Sequence, residues 1–285
     1  MPEADIPGKK GAPVRIVALK VYCDSVRGHK EGMPRFLDAL EELGIPGSFF
    51  FGMGGEGTGS LASKLFGEGK EIVASAPAIL RDATRRGFDC GIYGWNPAEW
   101  ERRLEKRNDT TLEAEIKRAV EQFTRRAGRR PNGFAAPGCR VTYISLRVQD
   151  EMHFRYCSDT FGLYPFFPKM SWKTFATPQI PATVPPLEVA LARASRSEAA
   201  ERLSALLHAL PDGLSVIPAN AAIGTSPEIF SPLREFLMRM RDEGGIFWDM
   251  NRVIESIDVE TLLSCEVETV KVPGMPREVA VQRLD

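Results

Sequence analysis

The run Val14-Arg15-Ile16-Val17-Ala18-Leu19-Lys20-Val21-Tyr22-Cys23-Asp24 decides the fold. Its apolar continuity reads as a buried strand that feeds the loop Ser25-Val26-Arg27-Gly28 and then a helix. In parallel α/β architectures the C-terminal ends of the strands form the ligand face, so a carboxylate closing such a strand stands at a working position. Tyr22 and Asp24 are two residues apart and share one face of the strand, while Cys23 points to the other. Taken alone, Asp24 is either a helix cap or a partner of Arg27, or a functional carboxylate. Tyr22 is a poor base, because a phenol near pKa 10 stays protonated at neutral pH.

Outward from this strand, helical and extended segments alternate to the end of the chain. Apolar residues at 33, 36, 37, 40 and 43 give a helical stripe over 31–43 that stops at Gly44. Further strands are expected at 47–51, 88–93, 133–136, 154–157, 214–217 and 246–247, with helices at 76–86, 112–127, 143–152, 197–210, 227–243 and 251–263. About seven strands separated by helices predict a parallel sheet closed into a barrel. The segment 161–172, Phe-Gly-Leu-Tyr-Pro-Phe-Phe-Pro-Lys-Met-Ser-Trp, opens a long Pro- and aromatic-rich connection running to Pro186, the kind that carries function in a compact domain. Its apolar side chains could dip into a membrane interface or pack over the barrel mouth as a lid. The expected organisation is a flexible segment over 1–13, a barrel over 14–264 and an extended appendage over 265–285.

Composition bounds the function. With 285 residues, 43% hydrophobic and a formal charge of −1, the chain can bury a large core and presents no global basic field for nucleic acid. The N-terminus lacks the apolar core of a signal peptide and no segment is long enough to span a bilayer, which predicts a cytoplasmic protein. The dispersed cysteines 23, 90, 139, 157 and 265 form no C-x-x-C pair and read as reduced, buried thiols. Neither Cys23 nor Cys90 has a histidine near it in sequence, which argues against a thiol nucleophile. Gly52-Met53-Gly54-Gly55-Glu56-Gly57 matches a dinucleotide fingerprint literally, but Thr58-Gly59-Ser60 prolongs the loop and no acidic residue closes a second strand at the right distance. A mobile glycine loop is the reading we adopt.

Three stretches in order carry a resemblance: 24–34, Asp-Ser-Val-Arg-Gly-His-Lys-Glu-Gly-Met-Pro; 47–51, Gly-Ser-Phe-Phe-Phe; and 91–100, Gly-Ile-Tyr-Gly-Trp-Asn-Pro-Ala-Glu-Trp. With Ala135-Ala136-Pro137-Gly138-Cys139-Arg140, Ser158-Asp159-Thr160, 177–185 and 272–278, they resemble the polysaccharide deacetylase superfamily (NodB homology). Within it they are most similar to the deformylases acting on formamido-arabinose carried by undecaprenyl phosphate. The resemblance implies a deformed (β/α)7-type barrel with a divalent metal, zinc, cobalt or manganese, at the C-terminal strand ends. It also implies that the first strand ends in Asp-x-Asp, a general base followed by a metal ligand. Here Tyr22 stands in the base position and Asp24 in the ligand position. The paired histidines expected on the third strand are replaced by Tyr93 and Pro97, and the later histidine acid has no counterpart near Ala219 and Asn220.

A lone Asp24 cannot hold a catalytic zinc, which takes three protein ligands with one position open, and without a metal nothing lowers the pKa of the attacking water. Asp24 with Asp159 could bind magnesium or calcium weakly. The leading expectation is a protein without cofactor that is catalytically degenerate and binds a lipid-linked amino sugar, or pairs with an active relative, at the cytosolic membrane face. Substrate-binding candidates are Asp24, Arg27, Trp95, Asn96, Arg140 and Asp159. The alternatives are an active deacetylase or deformylase with an atypical site, and a structural homo- or hetero-oligomeric partner whose pocket is plugged by aromatic rings.

Overall fold

The computed structural model describes residues 15–56, 71–210 and 212–284. The expected flexible segment 1–13, and the part of the glycine loop from Gly57 to Ser60, lie outside the described residues.

Strands β1 (Arg15–Cys23), β2 (Ser48–Phe51), β3 (Asp89–Ile92), β4 (Gly133–Phe134) and β5 (Tyr156–Cys157) follow in chain order, then the hairpin β6 (Phe167–Met170) and β7 (Lys173–Thr174). Later come β8 (Gly213–Asn220), β9 (Ile246–Phe247), β10 (Ser264–Val270) and β11 (Val279–Gln282). The first sheet runs β5-β4-β3-β2-β1-β8, all parallel, with β9 against the start of β1. β1 is its axis. It pairs along nearly its whole length with β8 and buries both faces, one toward the helices and one into the barrel, as an inner parallel strand must. The sheet does not close strand to strand. Instead residues 178–183 bridge β5 and β8: Cys157 N–H donates to Pro178 O at 2.8 Å and Thr183 N–H to Val216 O at 3.1 Å.

Helices sit where their caps place them. Asn96 accepts from Glu99 N–H to start the helix Pro97–Arg103, Asn108 starts Asp109–Ala127, and Ser195 with Glu198 forms a capping box for Arg196–Ala209. The expected helix over 31–43 begins earlier, as a wide turn at Gly28–Gly32 that runs into Met33–Leu43. Gly32 is required there: a Cβ would lie 1.9 Å from the Ala221 carbonyl oxygen. The expected helix 251–263 stops at Glu255, because a second cap at Asp258 restarts the backbone as a single tight turn. No helix among the described residues is long and apolar enough to cross a membrane.

The C-terminal tail forms two extended strands and is a structural partner of the long connection. β10 pairs with β6 and β11, giving a second sheet in the order β11-β10-β6-β7. The turn between β10 and β11 returns Met275 and Val279 onto Cys139, with Val189 packed against them.

Candidate functional site

The interior of the barrel is filled from base to mouth. At the base, Asp89 accepts from Ser48 Oγ at 2.7 Å, from Asn132 Nδ2 at 2.8 Å and from the Tyr156 hydroxyl. Midway, Lys20 is only 2% exposed and donates from Nζ to Ser158 O at 2.5 Å. Burial lowers its pKa, while the nearby Asp159 charge pulls the other way. Asp159 is wholly buried, accepts from Ala136 N–H at 2.6 Å and Gln179 Nε2 at 3.0 Å, and has its carboxyl pushed up to about 6 by burial. One of its oxygens thus holds the 178–183 bridge through Gln179, and the other holds the backbone just past β4 through Ala136.

Above them two tyrosines occupy the mouth. The rings of Tyr22, from β1, and Tyr93, just past β3, stack with centroids 4.6 Å apart and planes 22° from parallel. The Tyr22 hydroxyl donates to Glu188 Oε1, and the Tyr93 hydroxyl accepts from Gly138 N–H at 3.2 Å. Burial raises both phenol pKa values well above their ordinary range, so both stay protonated.

Three half-buried carboxylates ring this pair. Asp24 accepts from Asn220 Nδ2 at 2.9 Å, and Asn220 N–H donates to Glu188 Oε2 at 3.0 Å. Burial raises the pKa of Asp24 and of Glu188, and in both cases hydrogen bonds oppose it. Glu101 is pushed up to about 7, chiefly by burial and then by the Asp24 charge, against the pull of Arg277 and Arg140. Charge is concentrated here although little of it is paired across short distances.

The residues expected at the site separate under this geometry. Tyr22, Asp24 and Tyr93 meet at the mouth. Pro97 is the buried first residue of a helix and Asn96 is that helix's cap, so their positions are set by local backbone demands. Trp95 faces the helical layer: Arg118 stacks 4.0 Å over its ring, and Gly54 N–H donates to its carbonyl at 2.6 Å. A Cβ on Gly54 would come within 2.5 Å of that ring, which explains the glycine without a nucleotide. Arg27 pairs with Glu31 on the surface, and Arg140 binds Glu105 and the Glu101 carbonyl. The expectation for Ala219 is corrected. Ala219 pairs in register with Val21 and packs in the helical core, whereas Asn220 pairs with Tyr22 and bonds Asp24, so Asn220 and not Ala219 lies beside the mouth. His29 is buried with its ring against Ala76 O at 3.0 Å.

Sequence reasoning missed Glu188, Glu101 and Lys20. Lys20 carried a signal, since it precedes Tyr22 and Asp24 at the same two-residue spacing inside an apolar run. Glu188 and Glu101 carried none, because they arrive from separate helices. The donor set does not fit the implied metal: among the described residues no group of three His, Cys, Asp or Glu side chains could hold an ion. Asp159 already accepts from Ala136 N–H and Gln179 Nε2. All five cysteines are free and buried.

Residues 22–157 match the family model for polysaccharide deacetylase. Over that stretch, just under half of the chain, the sequence is similar to polysaccharide deacetylases. It is 22% identical to the probable 4-deoxy-4-formamido-L-arabinose-phosphoundecaprenol deformylase ArnD of Shewanella sediminis (strain HAW-EB3), covering 90% of this chain and 92% of that one. The curled barrel is similar to that of a Mycobacterium smegmatis protein assigned as a polysaccharide deacetylase, at TM-score 0.69 and 17% identity, covering 94% of this chain and 97% of the other. It is also similar to a probable polysaccharide deacetylase from Pseudomonas aeruginosa PAO1, at TM-score 0.66 and 15% identity, over 85% of this chain and 90% of that one.

Proposed function

We propose that this deacetylase-like barrel binds, without hydrolysing, an amino sugar carried on a polyisoprenyl phosphate. The stacked Tyr22–Tyr93 pair carries the reading: two protonated phenols fill the position where the resemblance implies a base and an imidazole ligand. Neither group takes a proton from water at neutral pH, and among the described residues no donor set for a Lewis acid surrounds them. The mouth sets the edges of two buried aromatic rings beside Asp24, Glu101 and Glu188. That combination favours a sugar whose amine is free and protonated over one whose nitrogen is a neutral formamide.

The lipid part of the reading draws on two supports. The relative ArnD bears a name that specifies a phosphoundecaprenol substrate. The tip of the β6–β7 hairpin, within the segment 161–172, leaves Trp172 93% exposed, with Lys169 and Lys173 beside it. Ser171 and Trp172 both have positive φ, 50° and 66°, a conformation that costs roughly 1–2 kcal/mol per residue for side chains other than glycine. A strained turn that displays an exposed indole suits a membrane interface, although Lys169 nearby is paired with Glu266 at 3.2 Å. Elsewhere in the segment Phe166 is fully buried and Phe161 joins the 178–183 bridge and β11, while Leu163 and Tyr164 stay exposed.

Calorimetric titration with the phosphate-linked amino sugar and with its N-formyl form tests the reading, alongside elemental mass spectrometry and a deformylation assay with added zinc, cobalt or manganese. Preferential binding of the free amine without turnover is expected. Turnover with stoichiometric metal would refute it. A second reading, hydrolysis at an atypical site, is favoured by Glu101, a carboxyl titrating near neutrality beside Asp24. Activity that vanishes in Glu101→Gln while the fold persists would establish that alternative.

A further inference from the structure

We propose that a groove of about 600 Å³ at the base of the barrel, opposite the mouth, binds a small soluble anion bearing two or more phosphate groups. Its walls are Arg81, Thr84 and Arg85 from the helix Pro77–Arg85, and Arg125, Arg126 and Arg129 around the end of the helix Asp109–Ala127. The location follows from Arg129, whose Nη2 donates to Phe88 O at 3.0 Å, immediately before β3 begins. Strand N-termini mark the base, whereas Asp24 and Tyr93 mark the C-terminal ends.

Five arginines line this groove in a chain whose formal charge is only −1, and of these Arg125 and Arg126 also donate to Gln122 Oε1. Helix macrodipoles account for part of the cluster, since Arg85, Arg125 and Arg126 occupy last turns, where cations are favoured. They do not account for Arg81, in the middle of its helix, or Arg129, beyond the Gly128 cap. Both of these are anchored through backbone carbonyls, Arg81 Nε to Arg126 O at 3.2 Å and Arg129 Nη2 to Phe88 O. An anchor that uses one N–H leaves the rest of a five-donor fork to face an acceptor. Nearby carboxylates are too few to neutralise the set: Asp82 is shared by Arg85 and Arg86, and Glu71 lies 3.6 Å from Arg126. No carboxylate is among the lining residues described.

Planar guanidinium forks match phosphate oxygens in pairs, and several forks from two helices match more than one phosphate. The site is a concavity between helix ends. The groove is shallow and open, so a compact ion reaches it directly, and the vesicle comparison separates that ion from a membrane surface. The inference is independent of what the mouth binds.

Titration calorimetry of the full chain with inorganic tripolyphosphate is the test, with sulfate at matched ionic strength and vesicles of phosphatidylcholine and phosphatidylglycerol as comparisons. One tripolyphosphate per chain is expected. Arg85→Gln with Arg125→Gln, both exposed, should weaken binding at least tenfold while the unfolding midpoint holds, and Arg81→Gln alone should weaken it severalfold. Arg234→Gln with Arg239→Gln, on the surface of another helix, should leave it unchanged. Absence of binding, equal loss in the control pair, sulfate binding as tightly as tripolyphosphate, or binding to vesicles alone would each overturn the assignment.

Discussion

Glu101→Gln should make the protein more stable at alkaline pH and leave it nearly unchanged in acid. The folded carboxyl titrates at about 7 against an ordinary 4.5, because burial and the Asp24 charge outweigh Arg277 and Arg140. A group whose pKa is raised by folding contributes stability that is fully present below its unfolded pKa and is lost as pH rises through the folded one. The window is therefore pH 4.5 to 7, and a rise of that size is worth up to about 3 kcal/mol across it. Glutamine keeps the neutral shape at every pH. The variant and the wild-type protein should thus have similar stability near pH 4.5 and diverge to a difference approaching 3 kcal/mol, in favour of the variant, at pH 8. Asp24 and Glu188 are raised in the same direction, so both proteins should also lose some stability with rising pH. Guanidinium unfolding followed by tryptophan fluorescence at pH 5, 6, 7 and 8 measures the gap. A gap that stays flat, or a wild type more stable at pH 8, would refute the reasoning. The second outcome would mean that attraction to the two arginines exceeds the cost of burial.

Two further perturbations probe the interior. Lys20→Met keeps the volume but strands the Ser158 carbonyl and leaves Asp159 without its nearby cation; removing one member of a buried charged set typically costs about 3–5 kcal/mol, and adding Asp159→Asn should recover part of it in urea unfolding. Tyr93→Ala deletes a buried, stacked ring and should cost about 3–5 kcal/mol while opening the mouth, so a loss below about 1 kcal/mol would show that the stack is not a packing element.

Much of the framework is legible locally. The apolar run ending at Asp24, the helical stripe behind it and the repeated order of strand and helix specify a parallel sheet, because backbone periodicity and burial on both faces are encoded residue by residue. The same alternation brings Tyr22 and Asp24 to one face and so locates the mouth. It also contained Lys20, although an interior ammonium becomes plausible only once Ser158 and Asp159 are seen opposite it.

The remaining features depend on which segments the curled sheet brings together. Glu188 and Glu101 reach the tyrosines from helices far apart in the chain, and neither helix carries a pattern that differs from ordinary surface charge. The choice of Asn220 over Ala219 turned on a single residue of register against β1, which a sequence pattern leaves free and hydrogen bonding fixes. Likewise the 178–183 bridge and the pairing of the tail with the long connection are non-local contacts, satisfied only when both partners are in place. Sequence by itself determined the layers, the direction of the strands and the position of Asp24. The tertiary structure decided what surrounds Asp24, because desolvation and charge at the mouth come from residues that only the folded sheet assembles.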